Sequence, residues 1–145
     1  MANYMGTTAS NGAVIKKGKE KELQAYLDKW TFLGEGDLKT EIRGNELAVY
    51  GYDDFDPYPI VTKEQAEANP DLEEGEADYD SCGDPEGFLT GLVPFLEVQG
   101  KDKDANLIVI QTAGAEKCRF PLGACEFVLR PDGNIEYNGF KMSHA

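Results

Sequence analysis

Between Tyr52 and Glu86 the chain carries thirteen carboxylates against one base, Lys63, so this stretch alone has a net charge of −12. The acids are Asp53, Asp54, Asp56, Glu64, Glu67, Asp71, Glu73, Glu74, Glu76, Asp78, Asp80, Asp84 and Glu86. A segment this charged cannot be buried, because ionised groups leave water only at high cost unless they are paired. It also holds Pro57, Pro59, Pro70 and Pro85 and few aliphatic side chains. Whatever core the chain builds must therefore come from the two flanking parts. Outside the segment there are fourteen acids and thirteen bases, a net charge of −1. The 145 residues then read as a nearly neutral single domain, 1–145, with an acidic loop insertion at 53–86. Within the insertion one short helix is expected at Lys63–Ala68, after the cap-like Thr62.

The part before the insertion opens with a short strand at Ala13–Lys17. In Gly18–Leu33, Leu23, Tyr26, Leu27 and Trp30 recur at helical spacing, so the pattern predicts one amphipathic helix. Gly34 and Gly36 are its plausible stops. Two alternating runs then flank Gly44–Asn45, a hairpin signal. In the second run Leu47, Val49 and Gly51 share one face, and Ala48, Tyr50 and Tyr52 the other.

After the insertion, Asp84 and Pro85 suit the cap and first turn of a second helix, with Phe88, Leu89, Leu92, Phe95 and Leu96 as its apolar side. Pro94 would end or kink it. The C-terminal third predicts three or four strands: "NLIVIQTA", "EKCRFPL", "ACEFVLR" and the run after the Pro131–Asp132–Gly133 turn. The fold class is α+β: two short helices packed on a mainly antiparallel sheet of about six or seven strands, with a long acidic loop.

The chemistry the sequence permits is narrow. Its one histidine, His144, is penultimate, which disfavours Ser-His-Asp, Cys-His and His-metal sites. Cys82, Cys118 and Cys125 are too few for a disulfide framework, so a reduced, cytoplasmic protein is expected. Strand alternation puts Cys118 with Phe120, and Cys125 with Phe127 and Leu129. Both thiols then read as small buried hydrophobes. Glu116, Lys117, Arg119 and Glu126 fall on the polar face, as cross-strand charges or as a ligand site centred on Arg119. "GEG" at 34–36 lacks the continuation of a phosphate loop. "DYDSCGDPEG" is a poor calcium loop, with Cys82 and Leu89 where ligands belong. No cofactor and no metal are expected. No stretch is long enough to span a membrane, and the N-terminus lacks the basic and apolar regions of a signal peptide.

The stretch "QTAGAEKCRFPLGACEFVLRPDG", with the "MANY-G" opening, resembles small uncharacterised proteins of phages and mobile elements. That resemblance implies an accessory protein of bacteria or their viruses, and it implies no activity. The long acidic loop departs from that pattern.

The net charge of −13 argues against direct binding of nucleic acid, whose phosphates require Lys and Arg. It suits a basic protein partner. The expected function is non-enzymatic binding through the acidic surface, with Asp53, Asp54, Phe55, Asp56, Tyr58 and Arg119 as candidate contacts. Tyr50 and Tyr52 are neighbouring aromatics, and all four aromatics could equally be core residues at strand ends. The alternatives are a DNA mimic that inhibits a nucleic-acid-binding or defence protein, a carboxylate-dependent enzyme, and a structural oligomer subunit.

Overall fold

The computed structural model describes residues 4–32, 38–52, 55–78, 83–116 and 121–140. An antiparallel sheet runs through them. Its strands are β1 (Tyr4–Ser10), β2 (Ala13–Val14), β4 (Leu38–Arg43), β5 (Glu46–Gly51), β7 (Ile108–Glu116), β8 (Pro121–Leu129) and β9 (Ile135–Phe140). A separate pair joins β3 (Trp30–Phe32) to β6 (Pro57–Pro59). The described residues also form three α-helices: α1 (Glu20–Leu27), α2 (Lys63–Ala68) and α3 (Pro85–Thr90). The α+β class holds.

Across the sheet the order is β4, β5, then β1 and β2, then β7, β8 and β9. β1 and β2 lie on the same side of β5, with Thr8 opposite Gly51 and Ala13 opposite Leu47. They act as one bent strand, broken at Asn11–Gly12, and side chains mend the break. The Ser10 hydroxyl accepts from Val49 N–H at 2.8 Å, and Asn11 Oδ1 accepts from Val109 N–H at 3.0 Å. Backbone groups inside a sheet need such partners.

β1 is absent from the sequence expectations, although it sits between β5 and β7. Its residues, YMGTTAS, are small and polar, and "SNG" after them reads as a turn. The first helix also ends earlier than expected, at Leu27. Trp30, Thr31 and Phe32 leave it and pair with Pro59, Tyr58 and Pro57. Only Tyr58 of the three β6 residues has an N–H to give. Pro57 instead turns its carbonyl to Asp84 N–H, at 2.7 Å. Of the three or four strands expected in the C-terminal third, the described residues form three. "EKCRFPL" is divided: Glu116 ends β7, Pro121 begins β8, and 117–120 lie outside the described residues.

One face of the sheet carries Leu47, Val49, Ile108, Ile110, Phe127 and Leu129, all in the core. Against it lie Leu23 and Leu27 of α1, Phe88 and Leu89 of α3, and Leu92 and Leu96 beyond it. Phe88 is fully buried and forms the hub of an aromatic cluster, with ring centroids 5.4 Å from Trp30, 5.7 Å from Phe55 and 6.0 Å from Phe32. As the sequence predicts, Asp84 caps α3 by accepting from Gly87 N–H, and Pro85 opens its first turn. Pro94 falls in a short 3₁₀ turn, Val93–Phe95, after the helix has stopped.

Candidate partner-binding surface

The acidic segment is not one long loop. It contributes β6, α2 and the start of α3, and its ends are tied down. Ile60 N–H donates to Lys29 carbonyl at 2.8 Å, Val61 N–H to Glu76 carbonyl at 2.7 Å, and Gly75 N–H to Val61 carbonyl at 3.0 Å. Ile60 and Ala77 form a bridge. Residues 62–76 thus make a lobe that leaves and returns at one place. Its helix has a full capping box: Thr62 Oγ1 accepts from Gln65 N–H, and Gln65 Oε1 accepts from Thr62 N–H.

The expected contact residues fare differently. Asp53, Asp54 and Arg119 lie outside the described residues. Phe55 and Tyr58 are each only 5% exposed, so of the two readings they are core residues at strand ends and not surface anchors. Phe55 packs between Phe88 and Phe127, with centroids at 5.7 and 5.4 Å, and its N–H donates to Thr112 Oγ1. The apolar core takes the Phe55 ring because chain closure carries the start of the acidic segment across the sheet face. Asp56 is half-buried beside Gly83, where any side chain on Gly83 would overlap its carboxylate.

The exposed charge is on the lobe and at α3. Glu64, Glu67, Asp71, Glu73, Glu74, Glu76, Asp84 and Glu86 all face solvent. Glu64 and Glu67 are three residues apart on α2 and so lie on one side of it. The ion pairs among the described residues fall elsewhere: Lys19–Glu22, Arg43–Glu41 and Arg130–Glu136. At the second of these, the hydrogen bond from Arg43, then that from Tyr50, holds the Glu41 carboxyl below the usual carboxylate range. Arg130 does the same for Glu136.

Two aromatics among the described residues are largely exposed. Tyr52, 80% exposed, follows β5 where the chain enters the acidic segment. Tyr137 of β9 is 63% exposed and was not singled out in the sequence, because alternation alone does not show that its strand is at an edge. Its ring meets Phe127 at 5.0 Å. Cys125 lies on the apolar face as expected, but half-buried, and its neighbouring thiol raises the Tyr137 phenol above its ordinary value through a hydrogen bond. Cys82 and Cys118 lie outside the described residues. Glu126 is on the opposite face, where Gln111 donates to it at 3.0 Å. Among the described residues no group of three or more His, Cys, Asp or Glu is placed to hold a metal ion, and no helix is long and apolar enough to cross a membrane.

Comparison with protein families, with curated proteins and with solved structures finds no match to this chain.

Proposed function

We propose that the chain is a non-enzymatic binding protein that holds a basic protein partner through the lobe of residues 62–76 and the adjoining acids of α3. One observation carries this reading: exposed carboxylates stand on a hydrogen-bonded lobe, and the ion pairs among the described residues use none of them. Such a surface steers a cationic partner during encounter and fixes its orientation. Tyr52 offers an exposed ring where the chain enters the acidic segment, and aromatic anchors add affinity. The resemblance to phage and mobile-element proteins supports an accessory role in a bacterial cytoplasm.

A DNA-mimic role is the second reading. It requires carboxylates at fixed positions, and the capping box and bridge give Glu64 and Glu67 an ordered backbone. The test compares capture from bacterial lysate by the wild type and by a Glu64→Gln/Glu67→Gln/Glu73→Gln/Glu74→Gln variant, at low and high salt. A basic protein held by the wild type, released by salt and not held by the variant is the expected result. If that protein binds DNA and DNA displaces it, the mimic reading is the correct one. Identical capture by wild type and variant sinks both.

A further inference from the structure

β9 is an edge strand. It pairs with no strand but β8 among the described residues; α3 approaches it, yet Glu136, Tyr137 and Asn138 are exposed in succession. Its hydrogen-bonding parity can be fixed. Arg130 N–H donates to Asn134 carbonyl at 2.8 Å, one step beyond the Leu129–Ile135 pair. In an antiparallel ladder hydrogen-bonded pairs alternate with non-bonded ones. Asn134, Glu136 and Asn138 therefore turn their backbone groups toward β8. Ile135, Tyr137 and Gly139 turn theirs outward.

An outward-facing edge can be matched by itself in few registers. The one that uses every outward residue of β9 has a two-fold axis at Tyr137. It sets Tyr137 against Tyr137 of the second copy and Ile135 against Gly139 of the second copy. Between them, Glu136 meets Asn138 of the second copy on the opposite face, an acceptor against an amide donor and not charge against like charge. On the core side two exposed phenol rings come together, each already backed by Phe127. The other edge, β4, offers less to a second copy, since Leu38 is already buried.

We infer that the chain forms a homodimer by antiparallel pairing of β9 with β9 about a two-fold axis at Tyr137, which continues the sheet from one copy into the other. A single strand pair lies toward the small end of specific interfaces, below ~1,200 Å². The dimer is accordingly concentration-dependent. Each copy has a net charge of −13, so the two repel at long range, and added salt strengthens the dimer.

Sedimentation velocity of the full chain over a range of concentration and salt tests this. The wild type should pass from monomer to dimer as concentration rises, at lower concentration in high salt. Tyr137→Lys sets like charges opposite each other at the axis and should weaken the dimer by about tenfold or more. Asn138→Lys faces Glu136 of the second copy and should tighten it by about twofold to tenfold. Thermal melts of both variants establish that they fold. A wild type that stays monomeric at the highest concentration and salt overturns the inference. So does a dimer that folded Tyr137→Lys leaves intact, or one that Asn138→Lys fails to tighten.

Discussion

Tyr26 joins α1 to α3 through one hydroxyl. It donates to the Phe88 carbonyl at 2.8 Å and the Gly87 carbonyl at 3.2 Å, and its ring packs on Trp30, Phe88 and Phe95. Gly91 lies directly against that ring, so a methyl group there overlaps the Tyr26 hydroxyl and ring. Gly91→Ala should lower stability by about 1–3 kcal/mol, as overpacking does. Tyr26→Phe keeps the ring and loses the bond, for about 1 kcal/mol. Denaturant melts separate the two. Burial, the largest influence, pushes the Tyr26 phenol from its ordinary 10.0 up to about 12. The folded protein then keeps this proton after the unfolded chain has lost it. The stabilisation is whole below pH 10.0 and is lost as pH climbs to about 12. Wild type should therefore lose more melting temperature across that interval than Tyr26→Phe; equal losses would show that Tyr26 does not contribute. Phe88→Ala, at the hub of the aromatic cluster, should cost about 3–5 kcal/mol.

The lobe at 62–76 is an element the core does not need. None of its side chains is buried, while Val61 at its root is only 6% exposed. Replacing Lys63–Gly75 by a tight turn should leave a cooperative melt, since Ile60 and Ala77 already face each other. A broad, non-cooperative melt of that variant would show the lobe to be part of the core. Thr62→Ala should loosen α2 by about 1 kcal/mol, visible as faster amide exchange at Gln65. This helix was legible in the sequence, as were the Gly44–Asn45 hairpin and the Asp84–Pro85 start of α3, because each is specified by neighbouring residues. β1 was not legible. Its Thr7, Thr8 and Ser10 are ordinary loop residues until β5 and β7 close on both sides, and the β7 pairing spans about a hundred positions of sequence. β3 and β6 failed for a related reason: Trp30 continues the helical stripe of α1, and only Tyr58, far along the chain, draws it into a strand. Phe55 and Tyr58 stayed open between surface and core because their sequence neighbours are acids; packing against Phe88 buries Phe55, and Tyr58 is buried within β6.

At the scale of the molecule, charge and edge pull in opposite directions. Nearly all of the net charge belongs to the segment from Tyr52 to Glu86, and β9 contributes only Glu136, which Arg130 neutralises. A partner held by the lobe is attracted by that charge, while a second copy is repelled by it. Raising salt from ~0.1 M to ~1 M shortens the Debye length from ~10 to ~3 Å, so both effects fade together. Partner capture should fall over this range while self-association rises. The variants separate the two surfaces further. The four Glu→Gln changes on the lobe should abolish capture and, by removing repulsion, strengthen the dimer at low salt. Tyr137→Lys should disperse the dimer and leave capture as it was. Both variants can be followed by sedimentation with a fluorescently labelled partner in the same cell. If Tyr137→Lys also releases the partner, binding requires the paired copies and the two surfaces are one site.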